Sequence, residues 1–176
     1  MNKFISCLED ILVNIAAASL FLIMMVVAAD VFLRYMFNAP LAWSYDLISM
    51  YLMVILFFFA LSNTLRVDAH IAVDILHIKI QPRTRHACLA IGYWLALGVF
   101  LLVLERSLIE TWSSFINNEV SDGLIAWPIW LSWISVPIGV ALLLLRIIFR
   151  AIGHSLSVIK GEDIIELPLV SGHEKE

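Results

Sequence analysis

Asp30 and Arg34 lie four residues apart, acid first, in a stretch that is otherwise almost wholly apolar. On a helix that spacing puts both side chains on one face, in the favourable order for an ion pair. An ionisable group at membrane depth is costly, so each needs a reason. Mutual neutralisation with snorkelling is one, contact with a protein partner is a second, and a proton or ion path is a third. Asp46 follows Trp43 and Ser44. Ser44 is placed to cap a helix and Asp46 to meet the positive end of its dipole. That accounts for both without excluding a pairing of Asp46 with Arg34. In a third group, Glu105, Arg106 and Glu110, the Arg106–Glu110 spacing is again one turn, and self-neutralisation is the expectation. Asp68, His70, Asp74 and His77 are all metal-ligand types. Their spacing matches no tight-binding pattern, so a solvated polar face is expected and no metal site. The chain has no Gly-rich phosphate loop, no Ser-His-Asp arrangement and no paired catalytic carboxylates, so neither enzyme activity nor a cofactor is expected. His70, His77 and His86 fall near one end of the apolar runs, not paired within them as two axial ligands of a buried haem must be.

The elements that position these residues follow from composition. Of 176 residues, 62% are hydrophobic and only 15% charged, against roughly half and a quarter in soluble domains. The excess must face something other than water. Four runs reach the ~20 residues that a spanning helix needs: 11–33, 44–65, 86–112 and 126–148. Backbone groups in lipid must be paired internally, and the alternating segments of a barrel are absent, so helices are the remaining solution. The first run is too long for a signal-peptide core and is preceded by Glu9 and Asp10, so it reads as a retained span. Asn38 and Pro40 mark the first turn; Asn117, Asn118 and Gly123 mark the last. Pro128 opens span four, and Pro137 should kink it. Ala16, Gly92, Ala96 and Gly139 permit close helix contact.

Orientation follows from the basic residues. Of the 11 Lys and Arg, nine fall on one side and two, Arg34 and Arg106, on the other. The richer side is expected to be cytoplasmic, with both termini inside. Trp43, Trp112, Trp127 and Trp130 then fall at the external helix ends as membrane-interface anchors. The connection 66–85 alternates in polarity. A short interfacial helix over 68–80 is expected there, ended by Pro82. Residues 1–160 are read as one four-helix transmembrane domain and 161–176 as a disordered cytoplasmic tail. Cys7 and Cys88 form no framework, and a net charge of -4 offers nothing to nucleic acid.

Three stretches carry a family resemblance. They are DVFLRYMFNAPLAWSYDL (30–47), HIAVDIL (70–76) and WPIWLSWISVPIGVALLLLRII (127–148). In this order, on a four-span chain of this length, the sequence resembles the small, DctQ-type membrane subunit of tripartite ATP-independent periplasmic (TRAP) transporters. One departure is that Tyr45–Asp46 stands where members often carry two acids. The resemblance implies a multi-pass protein of the bacterial inner membrane. It implies two protein partners: a large permease subunit that moves an organic anion with Na⁺, and a periplasmic binding protein that delivers the anion. The small subunit would scaffold the large one, with no substrate site of its own. On this reading Asp30, Arg34, Asp46, Arg66 and Asp74 make inter-helix or inter-subunit polar contacts. A different class stays open: a self-contained oligomeric channel or proton-coupled carrier, with Asp30 and Glu105 lining a path.

Overall fold

The computed structural model describes residues 2–66, 82–123 and 125–160. The expected helix over 68–80, with Asp68, His70, Asp74 and His77, lies outside them, as does the tail 161–176. The chain is all-α. Its elements are α1 (Asn2–Phe37), α2 (Ser44–Asp46) continued by a π-helix (Leu47–Leu52) into α3 (Met53–Arg66), then α4 (Pro82–Ile116), α5 (Ile129–Trp133) and α6 (Ser135–Lys160). Among the described residues, four stretches are long and apolar enough to cross a membrane: Ile5–Phe37, Ser44–Arg66, Thr84–Ile116 and Ile129–Ile159.

The helices run past the apolar segments that announce them. The 36 residues of α1 amount to ~54 Å at 1.5 Å each, well beyond a ~30 Å hydrocarbon layer. No Gly or Pro interrupts α1, so nothing stops it where hydrophobicity ends. Pro82 is the first residue of α4, where its missing N–H is not needed. The far end of α4 is closed by a left-handed residue. Asn118 has φ 48°, its N–H bonds the Phe115 carbonyl and Glu119 N–H bonds the Ser114 carbonyl, which is a Schellman motif with Asn in the glycine position. Asn38, with φ 52°, turns the chain after α1. Asn tolerates this conformation better than other non-glycine residues.

Three local expectations need correction. Ser44 is not an N-cap: it sits inside the first turn of α2, and Trp43 precedes it with no side-chain cap bond. Asp46 does lie in that first turn. Span four begins at Ile129 and not 126, because Pro128 is extended (ψ 114°) and restrains the residue before it. The kink assigned to Pro137 appears upstream, as a break at Ile134 between α5 and α6. Pro137 has no N–H for the carbonyl four residues back, at Trp133, and its ring crowds that carbonyl.

Two compact units divide the chain: Met1–Asn63 with Val103–Leu142, and Thr64–Leu102 with Leu143–Glu176. In the first unit, Leu12, Ala16, Tyr51, Leu52, Val136 and Val140 are buried. In the second, Leu65, Ala90, Leu143, Leu144, Ile147 and Ala151 are buried.

Candidate functional site

Among the described residues, four gatherings of polar side chains bear on function, three in the first unit and one in the second. The first is the turn after α1. Asp30 is buried. Its Oδ2 accepts from Arg34 at 2.5 Å and its Oδ1 accepts from the Leu41 backbone N–H at 2.7 Å. The i, i+4 ion pair legible in the sequence is therefore present, and the same carboxylate also holds the returning chain. Arg34 extends outward, its side chain 58% exposed.

The second place is the start of span two. Tyr51 Oη donates to the Pro128 carbonyl at 2.7 Å, and Ser132 Oγ donates to the Met50 carbonyl inside the π-helix. Tyr51 meets Trp127 edge-on. The loop over 117–128 is drawn together by Ser121 N–H to the Trp127 carbonyl and Ile129 N–H to the Glu119 carbonyl. Asp46 packs against Gly123 in this loop so closely that a Cβ there would collide with its carboxylate. Lower down, Gly139 of α6 lies against the backbone of Phe58 in α3, as its small size suggested. Gly92 instead has open space beside it. The third place is at Glu9: Ser62 Oγ donates to Glu9 Oε1 at 2.6 Å, with both residues buried.

The fourth place joins three helices of the second unit. His86 of α4 and His154 of α6 face each other with Nδ1···Nδ1 2.9 Å, and both are buried. Tyr93 stacks on His154 at 5.5 Å between ring centres. Arg150 donates to Tyr93 Oη at 3.1 Å and to the Arg66 carbonyl at 3.3 Å, so a guanidinium caps the end of α3. Trp94, one residue on, donates its indole N–H to Ser155 Oγ at 3.3 Å. His86 is thus paired after all, with a partner that the sequence reading did not single out.

One of two imidazoles whose Nδ1 atoms meet must donate and the other accept. Replacing either His with Phe removes the bond between them, at a cost of about 1–3 kcal/mol, and the second replacement cannot remove that bond again. In thermal unfolding, the double variant His86→Phe/His154→Phe is expected to lose less than the sum of the two single variants. Strict additivity in that double-mutant cycle would show that the two rings do not interact.

The remaining expected residues are distributed without convergence. Glu105, Arg106 and Glu110 are exposed, and no ion pair joins them among the described residues, contrary to expectation. Arg106 precedes Glu110, the weaker order along a helix. Trp112 is exposed and Trp43, Trp127 and Trp130 are half-buried. Asp74 lies outside the described residues. Among the described residues no three His, Cys, Asp or Glu side chains come together as a metal site.

A protein-family model described as "Tripartite ATP-independent periplasmic transporters, DctQ component" matches residues 23–156. No curated protein and no solved structure matches the chain.

Proposed function

Because the chain belongs to the DctQ component family of tripartite ATP-independent periplasmic transporters, and is thus a transporter component and not an enzyme, we propose that it is the small subunit that scaffolds the large permease subunit. The family match carries this reading, since it takes in all four spans apart from the start of the first and the end of the last. The distribution of buried surface supports it. Only 6% of the apolar window of α4 is buried within the chain, against 44% for the fourth span. Most of α4 is therefore available to lipid or to another subunit. Groups such as Asp30, Asp46 and Glu9 are spent on contacts within the chain, which suits a scaffold better than an ion path.

On this proposal both termini face the cytoplasm, the loop over 117–128 faces the periplasm, and the membrane is the bacterial inner membrane. The large subunit carries a carboxylate-bearing solute with Na⁺, after a periplasmic binding protein delivers it. Asp30, Arg34, Asp46, Arg66 and Asp74 supply polar contacts between helices or between subunits, and the four tryptophans set depth. The test is deletion of this chain from cells that retain the other two components. Solute uptake and recovery of the large subunit from the membrane are both expected to collapse, to below about a tenth of the intact level. Uptake at the intact rate would overturn the scaffold role.

A further inference from the structure

The last part of α4, residues 105–116, belongs to the first unit and has inverted polarity. Its inward positions are small and polar. Ser107 and Ser114 are buried, and their hydroxyls bond within the chain: Ser107 Oγ donates to the Leu104 carbonyl at 3.0 Å and Ser114 Oγ to Glu119 Oε2 at 2.7 Å. Its outward positions are large and apolar. Ile109, Trp112, Phe115 and Ile116 are 49%, 65%, 52% and 58% exposed. A helix beside water carries the opposite arrangement, apolar inward and polar outward. A helix in lipid carries apolar residues outward, but this stretch runs past the lipid. Residues 87–104 of α4 hold no charge, 18 positions in all, which rise ~27 Å, close to the ~30 Å hydrocarbon thickness. Glu105 and Arg106 mark the border of that run. The headgroup layer adds ~5–8 Å on each side. Phe115 and Ile116 follow Glu105 by ten and eleven residues, ~15 Å and ~16.5 Å along the axis. A tilt of ~20° shortens this by only about 1 Å. Trp112 still reaches the headgroups, because a helical side chain leans back towards the N-terminus. Phe115 and Ile116 do not.

The outward side chains are also held in place. Phe115 meets Trp112 at 6.4 Å between ring centres and Trp130 of α5 edge-on at 5.5 Å. A fixed aromatic cluster outside the bilayer is the kind of surface that anchors a protein contact. Glu105, Ile109, Trp112 and Ile116 follow one another by four, three and four residues, the spacing of a seam against a second helix laid alongside. Glu105, at the membrane end of the seam, has no ion pair among the described residues, so a basic group on the facing helix complements it. Lasting interfaces are the more hydrophobic ones, whereas those that form and part are polar. An apolar seam outside the bilayer therefore fits a membrane subunit that stays bound better than a soluble protein that comes and goes. A second copy sharing the seam in parallel would set Glu105 against Glu105.

We propose that the seam of Ile109, Trp112 and Ile116, with Phe115 beside it, docks against a helix of the large permease subunit beyond the hydrocarbon layer, and that this helix carries a Lys or Arg opposite Glu105. The inference rests on the scaffold reading. In membranes that hold all three components, a p-benzoylphenylalanine photo-crosslinker in place of Ile116 is expected to join this chain to the large subunit. Adducts of two copies of this chain, adducts with the binding protein, or lipid adducts alone would overturn the proposal. Ile116→Glu is expected to cut recovery of the large subunit with the tagged chain at least about fivefold, while Glu110→Gln, on another flank of the same stretch, leaves recovery unchanged. Equal losses in the two variants would count against the seam. Ile116→Glu should keep the melting temperature of the chain, which separates lost docking from lost fold. The two readings fail separately. If the unsubstituted chain recovers the large subunit but the crosslink goes elsewhere, the scaffold stands and this docking face falls. If it recovers no large subunit, both fall.

Discussion

Gly139→Ala is expected to destabilise the protein by about 1–3 kcal/mol, and Gly139→Val by more. Two effects oppose each other here. In an exposed helix interior, alanine is favoured over glycine by about 1 kcal/mol. At this position an added Cβ would fall 2.9 Å from Phe58 Cβ and closer still to the Phe58 carbonyl carbon and oxygen. Those nearest atoms are backbone, so no rotamer change relieves the overlap; α6 must move away from α3 as a body. The separation would cost the surrounding contacts as well, because Val136 and Val140 beside Gly139 are buried, at 6% and 0% exposure. Steric cost therefore exceeds the propensity gain. The measurement is the thermal unfolding midpoint of the purified chain in one fixed detergent or nanodisc. An alanine variant that melts at or above the parent would show that α6 does not approach α3 this closely. Gly92→Ala is the matched control, since nothing lies within 4 Å of its added Cβ, and it is expected to be neutral or slightly stabilising.

The two glycines also show what the sequence could and could not disclose. Both are small residues in apolar runs, and pattern alone treats them alike. Only the three-dimensional register puts one against a neighbouring backbone and the other against open space. The four spans were legible because lipid leaves a chain no other solution: length and hydrophobicity are sufficient signals. Helix ends were less legible, because the apolar run measures the hydrocarbon crossing and not the helix. The π-helix over Leu47–Leu52 left no signal: LISMYL contains neither glycine nor proline. Its long-range contacts are the Ser132 bond to Met50, 82 residues away, and the Tyr51 bond to Pro128, 77 residues away.

Polar partners divide in the same way. Asp30–Arg34 was legible because four residues make one turn. His86 and His154 are 68 residues apart, and Glu9 and Ser62 are 53 apart. Local spacing cannot find such pairs. Topology offers a weaker clue: with four antiparallel crossings, the start of span three and the end of span four lie at the same side, as do the start of span one and the end of span two. Read that way, His86 belongs with His154 and Glu9 with Ser62.

Asp30→Ala is expected to cost about 2–3 kcal/mol, and most of that loss should come from Leu41 and not from Arg34. The carboxylate makes two bonds of unequal worth. Its ion pair with Arg34 is short, at 2.5 Å, but the arginine side chain is 58% exposed. A guanidinium that open to solvent is rehydrated when its partner leaves, so the pair contributes about 0.2–1 kcal/mol at most. The Leu41 N–H belongs to a half-buried residue and is less open to water. It donates at 2.7 Å to a buried acceptor, and a bond to a charged acceptor is worth about 1.5–3 kcal/mol. It also holds the segment that carries Trp43 and Asp46 into span two. Asp30→Asn keeps an oxygen for Leu41 and removes the charge, so it is expected to cost less than half as much as Asp30→Ala. Arg34→Ala should cost under about 1 kcal/mol. The order, with Asp30→Ala worst, Asp30→Asn intermediate and Arg34→Ala mildest, can be read from unfolding midpoints and from the yield of intact protein extracted from the membrane. If Arg34→Ala instead matched Asp30→Ala, the ion pair would be the element that fixes the turn. Arg34 would then be held in a drier environment than its exposure implies, one that a covering protein subunit would provide.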